Sequence, residues 1–343
     1  MRKTHIFIAA ALSALLLARV AAQTPTPRRP GRQAEQQPEQ PLAQLDDAIT
    51  RAPSPATADL PLDPVRRQEF EKAYRARDYK RAETILVKEA EGDPKSPRAA
   101  RLLTKAGGIF FLDGQYLNAA IAYKKADTIA PLDERGRFTM AMSFIKLNRR
   151  DWAKPELEKL ASAAPKNALY LYWLARLEYD AQQYNAAVAG FRKVVELDPR
   201  MMRAYDGLGL CYDYLGKYDD AIANYNRAVE LNRGQPPPSP WPHVDLAISL
   251  MAVNRPAEAE GQLREALRYD ARLPQAHYQL GQALEKQGKY AEAVESLQQA
   301  AALDPSYPEP HYTLSRIYQR QGKGEEAKRS AERFQQLKKA KTP

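Results

Sequence analysis

The chain of 343 residues is 44% hydrophobic and 27% charged, carries a formal net charge of +10 and contains a single cysteine, Cys211. One thiol excludes any disulfide within the chain and any lipid-modified cysteine after an N-terminal apolar run. The modest excess of Lys and Arg favours acidic glycans, peptidoglycan or anionic membrane surfaces over nucleic acid as charged partners, or serves solubility alone.

The chain opens on Met1-Arg2-Lys3, an apolar run of 12 residues from Ile6 to Leu17, and Val20-Ala21-Ala22. Charged start, short apolar core and small residues two apart predict a secretory signal peptide over residues 1–22, cleaved after Ala22. The run is well short of the roughly 20 residues a spanning helix needs, so the mature chain is expected to carry no transmembrane segment; an uncleaved anchor is the alternative. Residues 23–62 hold eight prolines between Pro25 and Pro61 and no sustained apolar period, which predicts a disordered linker. Within it Leu42, Leu45 and Ile49 have helical spacing and could dock on a neighbour or in the groove of the chain's own second part.

From residue 63 onward a repeat takes over. Alanine recurs at 82, 119, 153, 187, 221, 259, 293 and 327, at intervals of 37, 34, 34, 34, 38, 34 and 34 residues. With that alanine as position 20, eight units start near Asp63, Ala100, Glu134, Ala168, Met202, Pro240, Pro274 and Pro308. Length alone would allow two domains, at about 150 residues each. The unbroken repeat over 63–343 predicts one all-α array of helix-turn-helix units that bury their apolar faces only by stacking.

Each repeated position has a physical role. Position 8 reads Gly107, Ala141, Ala175, Gly209, Ala247, Gly281 and Ser315, small residues where two helices cross closely. Position 15 reads Gly114, Asn148, Gln182, Gly216, Asn254, Gly288 and Gly322, residues suited to a left-handed helix end. Asp93-Pro94, Ala130-Pro131, Ala164-Pro165, Asp198-Pro199 and Asp304-Pro305 close the second helices, because the residue before proline is pushed out of the helical region. The first unit lacks the leucine and glycine of its first helix and reads as a capping repeat. The last helix carries Lys328, Arg329, Arg333, Lys338 and Lys339, as a solvated cap would. Four extra residues within Gln235–Pro242 predict either a local change of pitch or a recognition segment.

The best unit, with Tyr205, Leu208, Gly209, Tyr212, Gly216, Ala221, Tyr225 and Ala228, resembles the tetratricopeptide repeat over residues 63 to about 340. The resemblance implies a right-handed superhelical solenoid whose first helices line a concave groove at positions 2, 5, 6, 9, 12 and 13. It also implies partner binding rather than catalysis. Exported arrays of this kind are similar to bacterial envelope proteins, so a periplasmic location is expected. On those positions lie Phe138, Met142, Tyr172, Trp173, Arg176, Tyr179, Leu210, Tyr214 and Met251, an aromatic strip that becomes polar at Gln282, Glu285, Lys286, Arg316, Gln319 and Arg320. Chaperone-cofactor members of the family place a Lys and Asn clamp at positions 5 and 9; here position 5 reads Thr104, Phe138, Tyr172, Asp206, Val244, Tyr278 and Tyr312, so the clamp is absent. Position 6 (Lys105, Thr139, Trp173, Gly207, Asp245, Gln279, Thr313) likewise lacks the asparagine ladder of glycosyltransferase-linked arrays.

Catalytic chemistry finds no support. His243, His277 and His311 share position 4 of successive units, about 10 Å apart at helix packing distances, whereas zinc needs nitrogens at about 2.0–2.1 Å; they are expected to pack, and neither metal nor cofactor is expected. Cys211 sits where its equivalents are Ile109, Ser143, Leu177, Ser249, Ala283 and Ile317, and reads as a buried small residue. Asp219-Asp220 and Glu325-Glu326 open helices, where acidic groups offset the dipole. The sequence therefore predicts a non-enzymatic scaffold holding a protein or peptide segment in its groove, with Arg316 joining the aromatic strip. The alternative is a carbohydrate- or peptidoglycan-binding accessory protein.

Overall fold

The computed structural model describes residues 60–234 and 237–340. The signal peptide, nearly all of the linker with Leu42, Leu45 and Ile49, and Gln235-Pro236 of the proline run lie outside the described residues. Leu60 onward forms one compact unit. Its described residues hold sixteen α-helices in eight consecutive pairs. The pairs are α1 (Pro64–Arg75) with α2 (Tyr79–Glu91), α3 (Pro97–Leu112) with α4 (Tyr116–Ile129), α5 (Glu134–Lys146) with α6 (Arg150–Ala163), and α7 (Ala168–Asp180) with α8 (Tyr184–Leu197). They continue as α9 (Met202–Tyr214) with α10 (Tyr218–Asn232), α11 (Trp241–Ala252) with α12 (Pro256–Tyr269), α13 (Pro274–Lys286) with α14 (Tyr290–Leu303), and α15 (Glu309–Arg320) with α16 (Gly324–Ala340).

Every helix packs on the next in chain order, and neighbouring first helices also pack together at α3 with α5 and at each step from α7 to α15. Among the described residues no two second helices pack to that extent, so the first helices form the inner row. The crossing within each pair is set by the small residues. The repeated alanines are all buried, seven of them completely. A Cβ added at Gly107 would stand 2.9 Å from the Tyr123 ring, one at Gly209 2.5 Å from Tyr225, and one at Gly281 2.6 Å from Leu297. In the fourth pair the roles are exchanged: position 8 is Ala175 and the relief comes from Gly190, whose added Cβ would meet the Ala175 Cβ at 2.8 Å. Tight packing of this kind stabilises the array only while no methylene is added.

The turns follow the expected geometry. Gly114, Asn148, Gln182, Gly216, Asn254, Gly288 and Gly322 all have positive φ, between 56° and 76°, and so does Arg77, the position-15 residue of the first unit. Ala130, Ala164, Asp198 and Asp304, each before a proline, have φ between −146° and −130° and end their helices. At the start of first helices, the Asp63, Ser96, Asp133 and Asn167 side chains accept hydrogen bonds from backbone amides of the first turn.

At the N-terminal end, Phe70 and Ala73 of α1 are buried, and Leu60 and Leu62 fold under them. Arg67 donates to the Leu60 and Leu62 carbonyls at 3.0 and 3.1 Å, and the Arg98 Nε to the Pro61 carbonyl at 2.9 Å, so the array begins slightly before Asp63. At the other end α16 buries only Ala327, the expected polar cap. The proline run leaves the stack intact, since α10 packs on α11 as other neighbours do. Fully buried Asn232 closes it, donating to the Ser239 carbonyl at 2.7 Å and accepting from the Ser239 amide at 2.8 Å.

Candidate partner-binding groove

The inner row sorts the sequence candidates into two groups. Phe138, Met142, Tyr172 and Leu210 are at most 8% exposed. Phe138 packs on Tyr170 with ring centroids 5.4 Å apart, and Tyr172 on Phe191 at 5.7 Å. Phe191 in turn fills the space beneath Gly207 of the next unit. All four are packed within the array, Phe138 against the next unit and Tyr172 against its own second helix, and offer a partner little surface. The helix face assigned from one repeat does not reveal how closely the neighbouring first helix covers it.

Trp173, Arg176, Tyr179 and Met251 stay half-buried and Tyr214 is 38% exposed, so these five reach the inner surface. Trp173 stands edge-on to Tyr172 at 5.5 Å, and its buried indole Nε1 has no hydrogen-bond partner. Arg176 donates to Asp180 Oδ1 at 3.2 Å, with its guanidinium carbon 5.4 Å from the Tyr179 ring. Tyr179 meets Tyr184 and Tyr214, each at 5.8 Å, and Tyr184 stacks on Tyr214 at 4.6 Å with only 7° between the planes. Tyr184 opens the second helix α8 and was not among the sequence candidates. Its signal was the recurrence of Tyr79, Tyr116, Tyr184, Tyr218 and Tyr290 at position 17; in three units an aromatic residue at position 12 (Tyr74, Phe111, Tyr179) packs against it across the turn.

Toward the C-terminus the inner row is polar and internally paired. Arg316 grips the buried Glu285 through Nε at 3.0 Å and through a second bond from its NH2 group, and Arg320 adds a contact at 3.3 Å. Glu285 holds the Arg316 pKa above its usual value. Two units earlier, buried Asp213 accepts from Ser249 Oγ at 2.7 Å and from the Tyr225 hydroxyl at 3.2 Å. The row over α3 and α5 differs. It presents Arg101, Lys105 and Arg135, of which Arg101 and Lys105 form no ion pair among the described residues. Burial and the nearby Arg135 depress the Lys105 ammonium to about 8.

The remaining titratable candidates are in packing positions. Cys211 is fully buried, and burial pushes its thiol up to about 12 against a small opposing effect of Arg176. A thiol so protonated is a poor nucleophile. His243 is buried with Nδ1 2.7 Å from Gln262 Oε1 and its ring against Tyr269 at 5.3 Å; burial lowers its pKa. His277 Nε2 lies 3.0 Å from the Ala271 carbonyl oxygen, and burial with Arg333 nearby lowers the His311 pKa.

Tetratricopeptide-repeat family models match residues 68–134, 138–196 and 244–308, with further matches at 203–235 and 284–333, together more than half of the chain. The chain is a tetratricopeptide-repeat protein. This array is 28% identical over 146 residues to human Superkiller complex protein 3, a match covering 39% of this chain and 9% of that protein. A second relative, anaphase-promoting complex subunit 3 of Dictyostelium discoideum, is 34% identical over 68 residues, a match covering 20% of this chain and 7% of that protein, so the chain spans less than a tenth of either of these two. Among solved structures, a tetratricopeptide-repeat protein from Parabacteroides merdae aligns over 69% of this chain and 91% of its own, at 19% identity and a TM-score of 0.56. The Cut9–Hcn1 hetero-tetramer aligns over 81% of this chain and 59% of its own, at 14% identity and the same TM-score. At these identities the structures share the fold alone.

Proposed function

We propose that this tetratricopeptide-repeat protein is a non-enzymatic scaffold of the cell envelope that holds a segment of another protein against the inner row of its array. The observation carrying the reading is the cluster of Trp173, Arg176, Tyr179, Tyr184 and Tyr214. It is an aromatic surface that packing between the units leaves uncovered on the face where this family binds its partners. Export to the periplasm rests on the charge, length and small-residue pattern of residues 1–22. A glycan partner is the weaker reading, because one face of the exposed Tyr214 ring is already covered by Tyr184, which leaves a single face for stacking on a sugar.

Phe138 and Tyr172 are unsuited to the test, since both are buried and replacing them would disturb packing inside the array. Chemical crosslinking from envelope fractions with residues 23–343, beside a Trp173→Ala, Tyr214→Ser variant of unchanged helicity, reads the groove directly. A protein held by the parent and lost in the variant is the expected result. Equal capture by both would place the partner elsewhere on the array, and retention on purified cell-wall polymer with no protein captured would favour the glycan.

A further inference from the structure

The second helices form an outer row with a surface of its own. In α4 positions 18 and 22 each lie two residues from the buried Ala119, about 200° around the helix at about 100° per residue, and so point away from the crossing with α3. They are Leu117 and Ile121, 56% and 45% exposed, where every other unit has a charged, polar or small residue or a proline. Trp152 opens the next second helix, α6, and is 45% exposed at position 19, where no other unit has an apolar residue larger than alanine. It stands edge-on to Phe144 at 5.5 Å, with the Arg149 guanidinium carbon 3.5 Å from its ring. Lys124 and Trp152 take the places of Arg264 and Glu292, which bond at 3.1 Å between the sixth and seventh units, so the repeat brings them within side-chain reach. The other exposed large apolar residues, Val65, Leu197, Tyr214 and Tyr312, stand one to a unit. The same face is cationic. The exposed residues of α4 are Leu117, Asn118, Ile121, Lys124, Lys125 and Thr128, none of them acidic. Its one carboxylate, Asp127, is half-buried and accepts from Arg137 at 2.8 Å and from the Leu132 amide at 3.0 Å, so Lys124 and Lys125 form no ion pair among the described residues. Position 26, where Lys125 stands, is Lys or Arg in each of the first five units and turns to Glu265 and Gln299 in the sixth and seventh. Glu91, Glu158 and Glu196 temper that edge on the neighbouring second helices, but nothing does so on α4.

We propose that the outer face of the second and third units docks on an anionic membrane surface, with Leu117, Ile121 and Trp152 entering the headgroup layer and Lys124 and Lys125 meeting its phosphates. The chemistry is complementary in both respects. Tryptophan and protruding aliphatic side chains settle at the boundary of headgroups and acyl chains, where lysines lay their apolar stems while the ammonium stays with the phosphates. Unpaired lysines are drawn to the negative potential of anionic lipid. The shape agrees. Side chains standing out from an outer row need a fitted cleft in a protein partner, whereas a headgroup layer yields to them. A second copy meeting this face with its own would bring the same lysines against these, and like charges so placed repel. No helix among the described residues is long and apolar enough to cross a membrane, so the contact is with a surface. The inner row stays free for its own partner.

Flotation of residues 23–343, which hold the whole array, with phosphatidylcholine vesicles carrying or lacking phosphatidylglycerol tests this. The parent should float with the anionic vesicles only. Leu117→Gln with Ile121→Gln, and separately Lys124→Glu with Lys125→Glu, should each lower the partition coefficient about tenfold or more. All four side chains are exposed, and unchanged helicity checks that both variants keep the fold. Lys328→Glu with Arg329→Glu on α16, equal in net charge to the lysine variant, should bind as the parent does, and so should Trp173→Ala with Tyr214→Ser in the groove. Once Trp173→Phe and Trp241→Phe leave Trp152 as the remaining tryptophan of three, its emission should shift to the blue on binding. A parent that stays off the anionic vesicles, binding that survives either outer-face variant, an equal loss in the α16 or groove variant, or unshifted Trp152 emission would each overturn the proposal. A mass that rises with concentration without lipid, and stays that of a monomer in Leu117→Gln, Ile121→Gln, would overturn it in favour of a second copy on this face.

Discussion

Glu83 and Glu260 occupy the same place in the first and sixth units, one residue past the buried alanine of the second helix, and both are nearly shielded from solvent. Their surroundings treat them in opposite ways. Around Glu260, Lys289 Nζ and Gln287 Nε2 donate at 2.9 and 2.7 Å from the next unit and Arg264 pairs from the same helix. Although burial works against it, these partners hold the Glu260 pKa below its usual value. Around Glu83 the equivalents of Gln287 and Lys289 are Asp113 and Gln115. Burial, then the Asp113 charge, raises Glu83 to about 7, opposed only by the Gln115 amide, which the two carboxylates share. Repeat position thus fixes how deeply a carboxylate is buried, while two residues in the following turn decide whether it is ionised there.

The largest expected effect comes from moving the first environment onto the second. Gln287→Asp with Lys289→Gln should cost about 2–4 kcal/mol at pH 8, because it leaves a buried carboxylate facing a like charge, and should raise the Glu260 pKa above its usual value. Urea unfolding and NMR titration of Glu260 check both, and an unchanged pKa would end the comparison. Ala187→Leu, which probes packing where the alanine is common to both regions, should cost about 1–3 kcal/mol by overpacking; an unchanged melting temperature would contradict the helix crossing described above.

The pH dependence has a definite sign. With a folded pKa of about 7, Glu83 keeps its proton in the folded state while the unfolded chain loses it near the ordinary carboxylate value of 4.5. Its effect therefore weakens folding progressively as pH rises from about 4.5 to 7 and is constant above. Glu83→Gln should stabilise by about 1 kcal/mol more at pH 8 than at pH 5, read from thermal melts at the two values. Glu260 works the other way, contributing stability above 4.5 that is lost as pH falls through its lowered pKa. The smallest effect concerns the turns. Arg77→Gly should stabilise the first pair by about 0.5–1 kcal/mol, since φ of 56° suits glycine better than arginine, and Gly288→Arg should lose a similar amount in the seventh.

The helices, their pairing and their stops were legible because the constraints behind them are local: an alanine that must fit a crossing, a residue that must turn left-handed, a proline that ends a helix. Arg77 escaped because arginine carries no preference for a left-handed turn, and only the register of the other seven units marks it. The groove was half legible. Trp173, Tyr179 and Tyr214 fall where the helical spacing puts them, but Phe138 is covered by Tyr170 of the next unit, Tyr172 by Phe191 of its own second helix, and Met142 and Leu210 are buried as well; no spacing within one helix contains that information. The same holds for Asp213 with Ser249 and for Glu285 with Arg316, pairs formed across two units, of which only Glu285 and Arg316 read from the sequence as groove polarity.

The Asn232 bridge to Ser239 has a practical consequence. Both hydrogen bonds that anchor the proline run are made at its two ends, so the ends are held together independently of what connects them. Lengthening that connection costs only loop-closure entropy, about 0.6 kcal/mol for each doubling of length. An epitope or a fluorophore-binding tag placed after Gly234 would leave α10 packed on α11 and the inner row untouched, giving a handle for immobilising the array with its groove free.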